Sequence, residues 1–459
     1  MLDLVIAIFL ALISAGIGKR LLEWLGECPE HPADVAALAV PLGLGLLAIS
    51  CLAIAEAGCL NLVGLSVLLA VATELGALGG ARLVRELIQQ RKIEKKAQAA
   101  ERASWPDRLL KLALGITIGA TALAALAPVT DGDALCYHLQ VPKVFLIRHA
   151  AVFSPDLHET IYPLVTEFLY AIALEFRGPV ACRCIQWILG LVFAANVAAL
   201  ARPSLGSRAW WAGTFALLVP AVSNGMSAPL NDVALASFGT AAIFAWTRFM
   251  DRWSVRSAIV AGIFCGLAIG VKYPALVLAA ILVAGILLRP LVRPPASWND
   301  GLTRAFGHAI VFSCATILVG GCWYLRAYVY TGNPVFPFFR DWFGGSGLDV
   351  VLDPIKRPLT VTPLSVLTSL FPLTVDPQRF DSFAHQFGPL FLLFLPAIFL
   401  EKTPRRVLGL VGLGYLFLML CMTQRQSMRF LLIAVGPMAI VSAYLALRWA
   451  DRRTGPARL

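Results

Sequence analysis

Residues 131–143, DGDALCYHLQVPK, directly follow an apolar segment at 112–128. This short stretch places two carboxylates, a histidine and a lysine at the mouth of a helix that is apolar enough to lie in a membrane. Ionisable side chains are costly beside a bilayer, so a cluster of them at a helix end indicates a functional site. We therefore expect chemistry at a membrane face, on a substrate that is itself anchored in lipid.

The composition is that of an integral membrane protein. Of 459 residues, 59% are hydrophobic and only 14% are charged, and the mean hydropathy is +0.77, which excludes an ordinary soluble domain. Apolar runs of about 18–20 residues recur along the chain, as membrane-spanning helices require. We predict an all-α polytopic membrane protein, and we assign the net charge of +11 to basic cytoplasmic loops and not to nucleic-acid binding.

Two further features of the sequence carry no catalytic signal. The ten cysteines lie mostly in apolar runs, form no CxxC pair, and at Cys182-Arg183-Cys184 have poor spacing for zinc, so we expect small buried side chains. The first apolar segment, from Leu2, has no basic residue before it and no clear cleavage site. We expect it to be a retained helix and not a removed signal.

Loop charge predicts the topology. Placing the basic segments in the cytoplasm gives about thirteen helices, with the N-terminus outside and the C-terminus inside. The run at 162–176 does not fit this parity and contains Glu167 and Glu175, so we predict a helix that lies on or dips into the membrane. The predicted spans are 2–18, 34–56, 58–80, 109–128, 184–201, 209–223, 231–249, 257–272, 274–290, 305–323, 388–401, 407–422 and 429–448.

This topology divides the chain into successive parts, two of them with a large outer loop that should carry short interfacial helices. The parts are accessory transmembrane helices at 1–80, a cytoplasmic linker at 81–108, a transmembrane core at 109–323 with the first outer loop at 128–183, the second outer loop at 324–387, and C-terminal helices with a cytoplasmic tail at 388–459.

Several short motifs follow one another along the chain. They are YHLQVPK at 137–143, YPLVTE at 162–167, PLND at 229–232, GLAIGVKY at 266–273, WYLR at 323–326 with TGNPVFP at 331–337, and QSMRFL at 426–431. In their order and placement the chain resembles the C-fold (GT-C) glycosyltransferases, polytopic enzymes that use polyprenyl-phosphate sugars. It is most similar to the branch of protein O-mannosyltransferases and lipid A aminoarabinose transferases. The resemblance covers about 109–448 and leaves the first three helices outside.

The resemblance implies roles for particular residues. A catalytic acid in the first outer loop maps to Asp131 or Asp133, of which Asp133 matches the motif more closely. A second acid in a later outer loop matches Asp232. The basic residues that it implies near the donor phosphate match Lys272, Arg326 and Arg429.

Sugar transfer from a lipid phosphate needs a base for the acceptor hydroxyl, and a carboxylate at the membrane mouth can supply one. Partial burial there would raise its pKa toward a useful range. In extended backbone Asp131 and Asp133 would point the same way and could share a proton or a divalent cation, whereas in a helix they would diverge. Metal dependence therefore stays open. The alternatives are that Asp133 caps a short helix ending near Gln140 and that Asp131 is a solvated loop acid.

Basic residues at the outer ends of helices run against the positive-inside trend, and Lys272, Arg425 and Arg429 are of this kind. For Lys272 and Arg429 we predict a clamp on the donor phosphate. Other candidates have structural alternatives: a plain hydrogen bond, snorkelling, helix capping or interfacial anchoring. The candidate substrate-binding residues are Tyr137, His138, Lys143, Glu167, Asn231, Lys272, Tyr273, Arg326 and Arg429.

The sequence thus predicts an inverting membrane glycosyltransferase at the outer face of a bacterial inner membrane. Its donor would be a polyprenyl-phosphate or polyprenyl-diphosphate sugar, and its acceptor a lipid, glycan or protein. The alternatives are a transporter or flippase of lipid-linked substrates and a non-catalytic assembly partner in an envelope polysaccharide system. A transporter should carry charges at mid-membrane and often internal repeats, and the chain strongly shows neither.

Overall fold

The computed structural model describes residues 2–98, 104–344, 357–381 and 383–454, and these form an all-α protein. Within them there is no β-strand, only an isolated bridge between Ser154 and Leu157. Ten helices are long and apolar enough to cross a membrane. The predicted class, an all-α integral membrane protein, is confirmed.

The described residues of the first half of the chain form nine α-helices. They are α1 (Leu2–Trp24), α2 (Pro32–Glu56), α3 (Leu62–Gln98), α4 (Trp105–Ala125), α5 (Gln140–Arg148), α6 (Val165–Phe176), α7 (Pro179–Leu205), α8 (Trp210–Leu217) and α9 (Pro220–Gly225). Between α4 and α5 lies a π-helix, Ala134–His138. Helix α3 continues to Gln98, so much of the predicted linker at 81–108 is helical.

The second half contains ten more. They are α10 (Asp232–Arg252), α11 (Val255–Ile269), α12 (Pro274–Val292), α13 (Trp298–Thr331), α14 (Arg340–Phe343), α15 (Pro363–Leu367), α16 (Leu370–Val375), α17 (Leu390–Phe394), α18 (Arg405–Met422) and α19 (Leu432–Thr454). The 3₁₀-helices Leu395–Phe399 and Met428–Leu431 follow α17 and precede α19. The predicted outer loops do contain short helices, α5 and α6 in the first and α14 to α16 in the second.

Thirteen continuous spanning helices are not confirmed. The predicted spans at 209–223, 257–272 and 388–401 form shorter or interrupted helices, namely α8 with α9, the 15-residue α11, and α17 with a 3₁₀-helix. Prolines account for two of these differences, because Pro220 begins a new helix and Pro396 lies at the change from α to 3₁₀ geometry. The hydropathy of a segment does not show where its helix is interrupted.

Ion pairs divide the molecule into the two ends that loop charge predicts. Among the pairs between described residues, none joins a segment predicted to be cytoplasmic to one predicted to be outer. We call the end of the molecule formed by the segments predicted to be cytoplasmic the basic end. Its pairs include Arg202–Asp34, Arg252–Glu27, Arg406–Asp251 and Arg452–Glu401. The opposite end holds Arg177–Asp3, Arg326–Glu56 and the candidate site.

Helix α6 lies inside the bundle and not on its surface. It has 12 residues, too few to span, and its residues from Val165 to Ala173 are all buried. It packs against α2, α5 and α7, so the first helices of the chain share a core with the predicted transferase part. The surface placement that we considered for 162–176 is therefore wrong, because protein and not lipid headgroups covers this helix.

Close packing of α11 on α13 fixes where α11 ends. A Cβ atom on Gly262 would lie 2.5 Å from the Phe312 carbonyl oxygen, and one on Gly266 would lie 2.7 Å from the Thr316 carbonyl oxygen. The Thr316 hydroxyl also donates a hydrogen bond of 3.1 Å to the Gly262 carbonyl. Small residues on α11 thus allow a close helix contact, and Lys272 lies in the turn that follows α11.

Replacing Gly262 with alanine should destabilise the protein. The added Cβ must displace backbone of α13, and overpacking of this kind costs about 1–3 kcal/mol. Gly119→Ala in α4 is the matched control, because nothing lies within 4 Å of its Cβ position and alanine favours a helix. We expect the thermal midpoint in detergent to fall for the first variant and to hold or rise for the second. Equal midpoints would contradict this contact.

Candidate active site

The DGDALCYHL segment turns through the π-helix Ala134–His138. The Leu139 amide donates to the Ala134 carbonyl at 2.9 Å, which is an i to i+5 bond, and such wide turns are frequent at functional sites. Asp133 stands directly before this turn, and its side chain makes no capping hydrogen bond. The capping explanation for Asp133 is therefore wrong. Because Gly132 and Asp133 are already helical, Asp131 and Asp133 are not paired by an extended backbone.

Four charged side chains from distant parts of the sequence meet at this turn. We call Asp133, Asp232, Lys272 and Arg429 the charge cluster. Arg429 contacts Asp133 at 2.7 Å and Asp232 at 3.9 Å, and the Lys272 ammonium donates to Asp232 Oδ1 at 2.6 Å. The Asp133 side chain is 46% exposed and the Asp232 side chain only 2%, so of the two carboxylates only Asp133 is open to a substrate.

The electrostatics of the cluster differ from the sequence expectation. Burial opposes ionisation of Asp133, but the Arg429 guanidinium outweighs it and holds the pKa of Asp133 below its ordinary value. The expectation of a raised pKa is wrong, because the sequence did not show that Arg429 faces this carboxylate. Burial lowers the pKa of Lys272, and Arg429 adds to this effect, while Asp232 favours the charged ammonium.

A buried polar network lies behind the cluster. Glu167 Oε1 accepts hydrogen bonds from His138 Nδ1 at 2.7 Å and from Asn231 Nδ2 at 3.1 Å. Asn231 makes no side-chain cap on α10, so helix capping, the structural alternative for this predicted substrate-binding residue, does not hold. The His138 ring is fully buried, and the ring of Tyr137 lies 4.0 Å from it between centroids. These residues hold the Asp133 turn against the start of α10.

Three predicted substrate-binding residues form no hydrogen bond or ion pair with the charge cluster. Arg326 uses its guanidinium to bind Glu56 at 2.9 Å and the Ala151 carbonyl at 2.8 Å, and it also donates to the Thr160 carbonyl. This arginine ties α13 to α2 and to the first loop, so its predicted place at the donor phosphate is wrong. The Tyr273 hydroxyl donates to the Phe336 carbonyl at 2.6 Å. Lys143, half-buried on α5, forms no ion pair with any described residue.

Arg425 is a further candidate for a functional residue, to which the sequence analysis assigned no specific role. Its guanidinium lies 4.8 Å from the ring centroid of Phe430, and the Lys272 ammonium lies 4.0 Å from the same centroid. Its Nε is buried without a hydrogen-bond partner, and no carboxylate of the described chain pairs with it. The signal was present, since Arg425 is a basic residue at a predicted outer helix end.

Asp381 is a second residue that sequence reasoning missed. Its carboxylate accepts hydrogen bonds from the Ser427 hydroxyl and the Met428 amide, both at 2.8 Å. These bonds hold the start of the 3₁₀-helix that carries Arg429. No local pattern in the sequence joins Asp381 to a segment so far along the chain.

The described residues contain no group of three or more histidine, cysteine, aspartate or glutamate side chains arranged to hold a metal ion. Asp133 forms an ion pair with Arg429, whereas Asp131 has no ionic partner among the described residues. A divalent cation at Asp131 or Asp133 would need other ligands such as phosphate oxygens, as magnesium sites often do.

Fold and site together define a polytopic α-helical membrane protein with a half-open carboxylate beside several cations at one end of its helix bundle. The sequence profile of the family described as dolichyl-phosphate-mannose-protein mannosyltransferase matches residues 173–331, a part of the chain that includes Asn231, Asp232 and Lys272. The predicted resemblance to this branch is confirmed over those residues.

Comparison of structures gives a weaker similarity. A crystal structure of ArnT from Cupriavidus metallidurans in the apo state is 17% identical, with a TM-score of 0.48. The match covers 75% of this chain and 60% of that one, a likeness too low to support conclusions about activity. No curated protein matches the chain significantly.

Replacing Glu167 with leucine should strongly destabilise the protein. The change leaves the buried donors His138 Nδ1 and Asn231 Nδ2 without an acceptor, which costs about 2–5 kcal/mol. Glu175→Leu on the same helix is the control, because Glu175 forms no hydrogen bond or ion pair with a described residue. Thermal unfolding in detergent measures both variants. A similar midpoint for the two would show that the Glu167 network does not support the fold.

Proposed function

We propose that the chain is an inverting glycosyltransferase that moves a sugar from a polyprenyl-phosphate donor to a lipid, glycan or protein acceptor. The charge cluster carries this proposal, because it sets a half-exposed carboxylate beside cations at the end of a lipid-embedded bundle. Such a transfer needs a base for the acceptor hydroxyl and positive charge for the departing phosphate. The mannosyltransferase-family match over 173–331 supports the same class of donor.

In the proposed step the acceptor oxygen attacks the anomeric carbon while its proton passes to Asp133. The bond from that carbon to the phosphate oxygen breaks, and the phosphate leaves with the electron pair. Asp232 is too buried to touch the acceptor and acts by holding Lys272 and Arg429. Asp131, two residues away and free of Arg429, is the alternative base. The transfer step described above uses no metal ion. Comparing sugar transfer with and without EDTA tests whether a divalent cation takes part.

The charges favour a monophosphate donor. Lys272 and Arg429 are each balanced by a carboxylate of the cluster, whereas Arg425 has no carboxylate partner among the described residues. A polyprenyl-phosphate sugar is a phosphodiester with a single negative charge, which matches the single positive charge of Arg425. A polyprenyl-diphosphate sugar would carry more negative charge. We propose that the phosphate lies between Arg425 and Lys272, near Phe430, with Arg429 on its far side.

We further propose that the site faces outward from a bacterial inner membrane, since the opposite end of the bundle carries the basic segments that the positive-inside rule assigns to the cytoplasm. A transporter of lipid-linked substrates is not favoured, because the cluster lies at a helix end with a carboxylate open for proton transfer.

Asp133→Asn should abolish most transfer, because the amide keeps the shape of the side chain but cannot accept the proton. We expect a loss of about two to four orders of magnitude in sugar transfer, with folding and donor binding retained. Since Arg429 lowers the pKa of Asp133, the carboxylate stays ionised well into the acid range and wild-type activity should fall only at low pH. Arg429→Gln should move this acid limb of the residual activity to higher pH.

The paired variant Asp131→Asn identifies the base. If it loses transfer and Asp133→Asn does not, the base is Asp131. Near-normal transfer by both variants would refute the enzymatic role of this segment and favour a transporter or an assembly partner.

Arg425→Gln should weaken binding of polyprenyl phosphate. A lost charge-assisted contact costs about 1.5–3 kcal/mol, so the Kd should rise by roughly tenfold to over a hundredfold, as Lys272→Ala and Arg429→Ala should also show. Arg148→Gln makes the same charge change on an exposed residue of α5 and is the control. Titration of the purified protein with polyprenyl phosphate, followed by native mass spectrometry, measures all four. An unchanged Kd for Arg425→Gln would place the phosphate elsewhere.

A further inference from the structure

A charged cavity lies at the basic end, across the bundle from the charge cluster. It has a volume of about 370 Å³, within the range of small-ligand pockets, and the aromatic ring of Phe244 forms part of its wall. Its charged lining comes from four helices: Asp34 of α2, Arg202 of α7, Arg248, Asp251 and Arg252 of α10, and Arg406 of α18. We call it the arginine pocket.

The arginines are only partly neutralised. Arg202 binds Asp34 at 2.9 Å, Arg406 binds Asp251 at 3.0 Å, and Arg252 binds Glu27 outside the lining. Arg248 forms no ion pair with a described residue and donates only to the Glu27 carbonyl, at 3.2 Å. With Glu27 counted beside the lining, four arginines face three carboxylates, which leaves one positive charge in excess, on Arg248.

Donors remain available for a ligand. A guanidinium carries five N–H groups, and the ion pairs above use few of them. The Nε of Arg406 is buried without a hydrogen-bond partner. A buried donor left unpaired is costly, so its presence in a cationic cavity indicates a missing acceptor.

We propose that the arginine pocket binds a phosphate group, carried by an anionic phospholipid or by a soluble phosphate. Arginine forks match the oxygens of phosphate in pairs, and arginines that converge from several helices can surround a tetrahedral anion. Basic pockets between membrane helices bind anionic headgroups in this way. Loop charge alone would place arginines at this end but would not gather them around a cavity.

Binding to the purified full chain in detergent tests the proposal. The probes are phosphatidylglycerol, phosphatidylcholine and inorganic phosphate, each titrated and followed by native mass spectrometry and by the thermal midpoint. The variants are Arg248→Gln, which breaks no carboxylate pair, and the double variant R248Q/R406Q. Arg304→Gln is the control, since it removes an exposed charge at the same end outside the pocket.

We expect the wild type and Arg304→Gln to bind phosphatidylglycerol about tenfold more tightly than phosphatidylcholine, and both pocket variants to lose this preference. Protection by phosphatidylglycerol but not by inorganic phosphate identifies a lipid headgroup, and equal protection identifies a soluble phosphate. Equal binding of both phosphatidylglycerol and inorganic phosphate by Arg248→Gln and Arg304→Gln would overturn the proposal. Failure of this test leaves the transfer assays of the charge cluster unaffected.

Discussion

The contact of Arg429 with two carboxylates holds the candidate site together. One carboxylate, Asp133, belongs to the loop after α4, and the other, Asp232, begins α10. Without the guanidinium between them, two negative charges would face each other in a poorly solvated place. Arg429 is itself positioned through Asp381, which fixes the start of its 3₁₀-helix, so one cation joins three distant parts of the chain.

This arrangement places a half-exposed carboxylate in front of a buried polar network. His138 and Asn231 are buried and both donate to the buried carboxylate of Glu167, which connects the Asp133 turn to the start of α10. In front of them Asp133 is half exposed and can meet a substrate. Preorganised charge costs little at the moment of reaction, and a buried support behind an open carboxylate is a way to obtain it. The lowered pKa of Asp133 is part of the same arrangement, because the cation that fixes the carboxylate also stabilises its ionised form.

Much of this architecture could be predicted from local signals. Apolar runs predicted the ten long helices of the described chain, and loop charge separated the two ends. The predictions that the structure contradicts depended on contacts between residues that are distant in sequence. Arg326 was predicted to bind the donor phosphate, but Glu56 and two carbonyl groups accept its hydrogen bonds. The pKa of Asp133 was predicted to rise, and the sequence did not reveal Arg429 as its partner because the two residues lie almost three hundred positions apart.

Exposure decides how much an ion pair of this protein contributes to its stability. At the basic end the side chains of the Arg293–Asp251 pair are 53% and 44% exposed, so this pair adds little stability. At the opposite end the Asp232 side chain is 2% exposed, and removing its lysine would leave a buried charge uncompensated. Lys272 therefore serves both fold and site, whereas Arg425 has no carboxylate partner in the described chain and is the cation whose removal should affect the ligand more than the fold.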